Sequence, residues 1–241
     1  MSGVKAILLI CDGMADRPVP SLGARTPLEA ANNVNMNTLA LQGENGLLDP
    51  IGPGIRAGSD TSHLSLLGYD PYKSYTGRGP FEAAGIGMDV KKGDVAFRCN
   101  FSTVDPDMTI TDRRAGRIET GTGQLAAAVN GMQIEDVPVF FKESVAHRGA
   151  LVLRGPGLGA ALTDADPHEV GAKIHQAHAI DPADAASEKT ARIVNEFVKK
   201  SYELLRDHPV NKAREAEGKP AANIILPRGA GVAPNIDGFT E

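Results

Sequence analysis

Two residues that lie far apart in the chain, Asp12 and Ser59, have side chains suited to phosphoryl chemistry. Asp12 directly follows an apolar run, and Ser59 lies in a segment with the composition of a loop-to-helix junction. A carboxylate in such a place is a good ligand for a divalent cation. A serine hydroxyl is a poor nucleophile until its proton is removed, and a metal ion can promote that removal. A helix N-terminus after Ser59 would also favour an incoming phosphate. The alternative stays open that Ser59 only caps a helix and Asp12 only forms a turn.

Arginine is concentrated in one short segment of the chain. Arg113, Arg114 and Arg117 lie within five residues of one another, and Arg148 follows His147 further along. A guanidinium group binds phosphate or carboxylate through parallel N–H donors. In an acidic protein, the cluster predicts a pocket for a small dianionic ligand. A solvated run of charge is an equally open interpretation, because exposed arginine is common.

Three histidines, His168, His175 and His178, lie close together in the sequence, with Glu169 beside the first. Their spacing does not match a standard zinc motif. A structural or solvent-facing role is therefore favoured over metal binding.

The elements that must position these residues are recognisable from their patterns. The apolar run over 4–11 predicts a strand buried on both faces, as in a parallel sheet, with Asp12 at its carboxyl end. Residues 95–101 alternate between apolar and polar types, which predicts a half-buried, antiparallel strand. Further elements are predicted by short apolar runs and by helical periodicity. They are strands over 150–153 and 223–226 and helices over 36–42 and 187–207.

Composition narrows the class of protein. A chain of 241 residues corresponds to one or two domains. The net charge of −5 argues against a general nucleic-acid binder, which needs a basic face. The two cysteines form no CxxC motif and predict a reduced, cytoplasmic protein. The one membrane-like stretch, 6–11, is too short to span a bilayer, so no membrane association is expected.

Six segments of the chain, in order, resemble the archaeal-type cofactor-independent (2,3-bisphosphoglycerate-independent) phosphoglycerate mutases. They are residues 9–18, 57–65, 68–72, 111–118, 166–169 and 228–231. The resemblance implies an α/β fold of the alkaline-phosphatase-like superfamily, in which an inserted α/β substrate domain interrupts a metal-binding domain. It implies that residues 1–75 form the first part of the metal-binding domain and 76–222 the inserted domain. Residues 223–241 would then be a return segment into the metal-binding domain.

The resemblance also implies roles for individual residues. Ser59 would be the nucleophile that accepts the phosphoryl group, and Asp12 and Ser59 would bind one of two divalent metal ions (Mn, Mg, Co or Zn). No 2,3-bisphosphoglycerate would be required. The side chains expected to clamp the carboxylate and phosphate of the substrate are Arg113, Arg114, Arg117 and Arg148.

The implied reaction interconverts 3-phosphoglycerate and 2-phosphoglycerate through a phosphoserine, a step of glycolysis and gluconeogenesis. Two alternatives remain: another metal-dependent phosphotransferase or phosphohydrolase on the same scaffold, or an inactive fragment or split subunit. Family members continue well past the position that matches Glu241 and carry most of their metal ligands there. The resemblance therefore predicts that the chain is truncated or completed by a second polypeptide. Exposed apolar surface would then favour association, including a homo-oligomer.

Overall fold

The computed structural model describes residues 5–11 and 13–236, and the chain divides into two compact units, residues 1–71 and 72–241. The first unit consists of short helical segments joined by loops. They are a 3-10 turn (Pro20–Leu22), α1 (Pro27–Ala30), α2 (Val34–Gln42) and α3 (Ser59–Leu66). Helix α2 confirms the helix predicted over 36–42, and α3 confirms the predicted loop-to-helix junction.

The N-terminal strand predicted over 4–11 is wrong for its described part. Residues 5–11 form no strand and are exposed, with Ile7 93% and Leu9 79% exposed. An apolar run records a preference for burial, whereas a strand also needs a neighbour to pair with its backbone N–H and C=O groups. The described residues of the first unit offer no such strand. Asp12, predicted at the end of this strand, lies outside the described residues.

The second unit is built on one antiparallel sheet. Its strands are β1 (Val95–Val104), β2 (Ile110–Asp112), β3 (Gln133–Ile134), β4 (Val137–Glu143), β5 (Arg148–Leu153) and β6 (Ile224–Val232). β1 is central, with β5 and β6 as neighbours, while β4 and β3 continue beyond β5 and β2 pairs with the end of β1. Every pairing of these strands is antiparallel, so the parallel arrangement expected from the N-terminal run is not that of this sheet. The strands predicted over 95–101, 150–153 and 223–226 are confirmed, and the last belongs to this sheet.

Helices cover both faces of the sheet. The helices are α4 (Pro71–Ser74), α5 (Arg78–Gly85), α6 (Thr122–Val129), α7 (Ala185–Leu205) and α8 (Pro209–Ala216), with a 3-10 turn at Ala115–Arg117. α7 confirms the helix predicted over 187–207. Its N-cap residue is Asp184, whose carboxylate accepts the N–H groups of Ala186 and Ser187.

Successive side chains of β1 face opposite sides of the sheet, and the two sides have different neighbours. Phe97, Cys99 and Phe101 face the larger core beneath α6 and α7, where Phe141 contacts both Phe101 and Phe197. The opposite face begins with Ala96, which packs with residues of α5 and β5 in a smaller apolar cluster. Both faces of β1 are thus covered, although its sequence predicted a half-buried strand.

Gly79 allows α5 to approach the backbone of β1. A Cβ atom at this position would overlap the backbone of Ala96 and Phe97. Gly79→Ala is therefore expected to push α5 off the sheet and lower the free energy of unfolding by about 3 kcal/mol. Gly85→Ala in the same helix is the control, because a Cβ there meets nothing within 4 Å. Urea unfolding of both variants tests this, and equal stability of the two would contradict the close approach of α5.

The described helices include none that is both long enough and apolar enough to cross a membrane.

Candidate functional site

The four arginines predicted from the sequence line one cavity in the second unit. Its volume is about 430 Å³. The residues around it are Arg98, Asn100, Arg113, Arg114, Arg117, Glu119, Val145, Ala146, His147, Arg148 and Arg228. We call this cavity the arginine pocket; six of its lining residues are arginines and one is acidic.

The strand register explains why side chains distant in sequence meet here. On β1, Arg98 and Asn100 lie on the face opposite the larger core. Arg98 pairs with Arg228 of β6, and Asn100 pairs with Arg148 of β5. Like charges placed directly opposite across a ladder repel each other. The register at Arg98 and Arg228 is therefore unfavourable unless an anion or carboxylate compensates it.

The loop that carries the other three arginines has an unusual backbone. Ala115, Gly116 and Arg117 all have positive φ, at 45°, 62° and 54°. Asp112 accepts the N–H groups of Arg114 and Gly116, and Arg214 of α8 donates to the Ala115 carbonyl at 2.8 Å. Non-glycine residues in this region cost energy that the surrounding structure must offset. These contacts hold the loop, and with it the three guanidinium groups, in a strained conformation beside the pocket.

Several polar atoms of the pocket are buried without a hydrogen-bond partner. They are Arg98 Nε, Asn100 Oδ1, His147 Nδ1 and Arg228 Nε. Arg98 and Asn100 are only 5% and 3% exposed, so solvent satisfies these atoms poorly. A buried polar atom without a partner costs about 1–3 kcal/mol. A ligand with several hydrogen-bonding oxygens would satisfy them.

Burial and mutual repulsion shape the protonation of the pocket. Burial lowers the pKa of Arg98 to about 10, against the opposing effect of Glu82, which lies 3.6 Å from Arg98 Nε. Burial, followed by the charges of Arg148 and Arg114, lowers the pKa of His147 to about 4. His147 is therefore neutral at pH 7, and the positive charge of the pocket comes from its arginines.

A buried carboxylate anchors two of the arginines. Asp166 is 2% exposed and accepts two hydrogen bonds from Arg113, at 3.3 and 2.8 Å, while Arg228 Nε lies 3.7 Å away. Burial by itself would raise the pKa of Asp166, but the Arg113 hydrogen bonds and the His168 N–H outweigh burial and lower it. Asp166 thus stays ionised and fixes these guanidinium groups at the edge of the pocket.

Among the three histidines singled out from the sequence, only His168 reaches these arginines. Its ring lies 3.2 Å from Arg113 and 3.4 Å from Arg228. The His178 ring lies beside Thr163 at 3.3 Å, and His175 is exposed. No metal-binding cluster of three or more histidine, cysteine, aspartate or glutamate side chains is found within residues 5–11 and 13–236.

Ser59 lies in the first unit and is the first residue of α3. Gly58 is the N-cap residue, so the alternative in which Ser59 caps the helix is wrong. Asp60 follows in the first turn, and Thr61 exchanges hydrogen bonds with the backbone of Gly58. The side chain of Ser59 therefore lies at the positive end of the helix dipole, a position that favours a nearby anion.

Sequence reasoning missed Arg98, Asn100 and Arg228 and gave His147 no role of its own. The alternating pattern of β1 predicts that Arg98 and Asn100 face solvent. Arg228 is noted only as part of the segment 228–231, which resembles the family. A charged residue in the middle of a strand with apolar neighbours is the available signal, because such residues are buried only when they are paired.

Comparisons with known proteins identify the family of this chain. The family model for 2,3-bisphosphoglycerate-independent phosphoglycerate mutase matches residues 40–211. A mutase of this name from Methanothermobacter thermautotrophicus is 59% identical over 241 residues, which cover 99% of this chain and 59% of that protein. Another from Methanosphaera stadtmanae is 56% identical, covering 99% of this chain and 58% of that protein. The chain thus spans about three fifths of the length of these curated relatives.

Two solved structures are also similar to this chain. A cofactor-independent phosphoglycerate mutase from Thermoplasma acidophilum is 44% identical, with a TM-score of 0.66, over 95% of this chain and 59% of that one. A protein from Pyrococcus horikoshii is 39% identical, with a TM-score of 0.68, over 95% of this chain and 52% of that one. Since the family model covers well over half of the residues, this chain belongs to the 2,3-bisphosphoglycerate-independent phosphoglycerate mutase family.

Proposed function

We propose that the arginine pocket binds phosphoglycerate and that this chain takes part in interconverting 3-phosphoglycerate and 2-phosphoglycerate. The observation that carries the proposal is the set of six arginines around one cavity that also contains buried, unpartnered polar atoms. Guanidinium groups bind both phosphate and carboxylate through paired N–H donors. A ligand that bears one group of each kind would use opposite parts of such a pocket.

The charge balance of the pocket supports this ligand. Its six arginines are opposed by three carboxylates: Glu119 in the lining, Glu82 beside Arg98, and Asp166 beside Arg113. These six arginines and three carboxylates together carry a net charge of +3. Arg78 and Asp164 also act on Arg228, with opposite signs. A phosphate monoester carries about −1.5 to −2 at neutral pH, and the glycerate carboxylate adds one more negative charge. A cavity of about 430 Å³ is also within the range that holds small molecules.

The proposed reaction assigns separate roles to Ser59 and to the pocket. The Ser59 Oγ attacks phosphorus, the P–O bond to glycerate breaks, and the phosphoryl group is held as phosphoserine. The hydroxyl proton of Ser59 is removed, and the departing glycerate oxygen takes up a proton. Glycerate stays bound to arginines through its carboxylate and reorients. Its other hydroxyl then loses its proton and attacks the phosphoserine. The P–O bond to Ser59 breaks, the Ser59 oxygen takes up a proton, and the second phosphoglycerate is formed.

Metal dependence belongs to the proposal through the family resemblance, which implies two divalent ions, with Asp12 and Ser59 as ligands of one. Carboxylate and hydroxyl oxygens are suitable donors for such ions. Within the part of the chain that the structure describes, no group of side chains forms a metal-binding cluster, and Asp12 lies outside that part. Of the two proposed ligands, Ser59 lies within the described residues, as the first residue of α3.

The finer architecture is likewise proposed. We assign the first unit to an alkaline-phosphatase-like metal-binding domain and the second to an inserted substrate domain. The division into compact units at residues 71 and 72 supports the first boundary, close to the predicted residue 75. The strand β6 pairs with β1, which favours including residues through 232 in the substrate domain, beyond the predicted residue 222. A second polypeptide or a second copy of the chain stays a proposed partner, consistent with the exposed apolar residues of the first unit.

Arg148→Ala is expected to weaken 3-phosphoglycerate binding about 10- to 100-fold, because it removes a charged donor from the pocket. Isothermal titration calorimetry of the 241-residue chain measures the affinity, and ³¹P NMR measures conversion to 2-phosphoglycerate. Arg206→Ala is the matched control, since this substitution removes the same charge from the exposed surface at the end of α7. Equal affinities for the two variants, or no binding by the unaltered chain, would overturn the proposed site.

A further inference from the structure

One imidazole ring outside the pocket lining contacts two of the pocket arginines. His168 Nδ1 lies 3.2 Å from Arg113 Nη2 and 3.4 Å from Arg228 Nη1. A guanidinium group can only donate hydrogen bonds, so Nδ1 must be the acceptor of both. The other ring nitrogen, Nε2, lies 3.3 Å from an oxygen of Asp164, which as a carboxylate accepts. These contacts select the neutral ring with its proton on Nε2.

The surrounding loop holds the ring in this position. The His168 N–H donates to Asp166 at 2.9 Å, and Asp164 also accepts the N–H of Gly229, next to Arg228, at 2.8 Å. His168 has φ = 63°, a left-handed conformation that costs energy for a non-glycine residue. A strained residue fixed from several sides, with its ring aimed at two binding groups, is a frequent feature of functional sites.

We propose that His168 is a positioning residue of the arginine pocket. Its ring, with Nδ1 as the acceptor, holds Arg113 and Arg228 in the arrangement that receives an anion. The identity of the anion rests on the proposed function, whereas the positioning of the two arginines does not.

The charged groups around the ring fix its orientation. Arg113 faces it from the loop after β2, Arg228 from β6, and Asp164 and Asp166 from its own loop. Nδ1 accepts from both guanidinium groups, while the carboxylate of Asp164 accepts from Nε2. The two arginines therefore share one acceptor, and its loss affects both.

Two substitutions at His168 separate the acceptor from the backbone. Asn and Gly both tolerate positive φ, so neither variant adds backbone strain. In His168→Asn, the amide oxygen takes the place of Nδ1 as an acceptor. In His168→Gly, the acceptor is absent. His175→Asn is the control, because His175 is exposed and lies outside the pocket lining.

Calorimetry with 3-phosphoglycerate at pH 8 gives the first test. We expect His168→Asn to bind like the unaltered chain and His168→Gly to bind about tenfold more weakly. The exposed control His175→Asn should also bind like the unaltered chain. Rescue by asparagine, which keeps an acceptor, shows that the loss in His168→Gly belongs to the acceptor.

A second measurement works without ligand. Arg228 Nη1 donates to His168 Nδ1, and the ¹⁵N NMR signal of this guanidinium group reports whether the group is held. At pH 8, the signal should be protected from exchange in the unaltered chain and in His168→Asn, and exchange rapidly in His168→Gly.

The two measurements distinguish failure of the positioning role from failure of the proposed function. If the NMR pattern is found but 3-phosphoglycerate does not bind, the positioning role stands and the proposed function fails. If 3-phosphoglycerate binds equally to His168→Gly and to the unaltered chain, or if the Arg228 signal is unchanged in His168→Gly, the positioning role is overturned. The same holds if His168→Asn binds as weakly as His168→Gly.

Discussion

In a complemented or full-length enzyme, Ser59→Ala is expected to lower the rate of interconversion between 3-phosphoglycerate and 2-phosphoglycerate by at least about 1,000-fold, because the proposed reaction has no other atom to hold the phosphoryl group. The loss should appear in the turnover rate. Binding of 3-phosphoglycerate should persist, since the arginine pocket is built from residues of β1, β5, β6 and the loop after β2. ³¹P NMR of the conversion and calorimetry of the binding measure the two effects separately.

Ser65→Ala provides the control for this variant. Ser65 lies in the same helix, but its hydroxyl donates to the Pro50 carbonyl and so joins α3 to a preceding loop. Its loss should reduce stability and leave the chemical step intact. Ser59 follows the N-cap residue Gly58, so its replacement should change the circular dichroism spectrum little. Turnover by Ser59→Ala at a near-normal rate would contradict the role of Ser59 as nucleophile. Loss of turnover in Ser65→Ala alone would mean that the reaction depends on the fold of α3 and not on the Ser59 hydroxyl.

Local sequence patterns predict the elements whose structure depends on local contacts. The helix α7 has an apolar stripe that recurs over its whole length and an acidic N-cap residue, Asp184, and these features suffice to place it. The strand β1 is recognisable from its alternation. Its burial is underestimated, because a pocket and a solvent-exposed face both require polar residues at every second position, as at Arg98 and Asn100.

The direction of strand pairing is not predictable in the same way. It depends on which distant segment meets each strand, and no local periodicity records that. β6 begins more than one hundred residues after β1 ends, yet their register places Arg228 opposite Arg98. For the same reason, the four predicted arginines form an incomplete site. The arginines after β2 are close together in the sequence and can be recognised as a cluster there. Arg98 and Arg228 are distant in the sequence and come close to that cluster only in the folded chain.

For the apolar run at the N-terminus, the sequence predicts more burial than the structure has, the opposite of the error for β1. Ile7 and Leu9 have the side chains of a buried strand but are exposed in the described structure. The hydrophobicity of a segment indicates that its burial would be favourable, but it does not identify the surface that would bury the segment. The same limit applies to Val34 and Leu39 of α2, which are 66% and 69% exposed.

Asp166→Asn is expected to lower the free energy of unfolding by about 3 kcal/mol at pH 7, because it removes one partner of a buried ion pair and leaves the other charge uncompensated. Asp166 is 2% exposed and accepts two hydrogen bonds from Arg113 and one from the His168 N–H. Asparagine preserves the shape of the side chain, so the loss reports charge and not a cavity. The guanidinium groups of Arg113 and Arg228 lose their anchor together, and 3-phosphoglycerate binding should weaken in the same variant.

The pH dependence of this effect has a definite sign. The pKa of Asp166 is lowered in the folded chain, since its hydrogen bonds outweigh the effect of burial. Its carboxylate therefore stabilises the fold fully above the unfolded pKa of about 3.9, and this contribution disappears as the pH falls through the lower, folded pKa. Urea unfolding should show a large difference between the unaltered chain and Asp166→Asn at pH 7, and a difference that shrinks steadily below about pH 4. Asp136→Asn, which breaks an exposed ion pair with Lys189, should change stability little at either pH. A difference for Asp166→Asn that is independent of pH would mean that Asp166 acts by its shape and hydrogen bonds alone, and the two arginines would then owe their place in the pocket to other contacts.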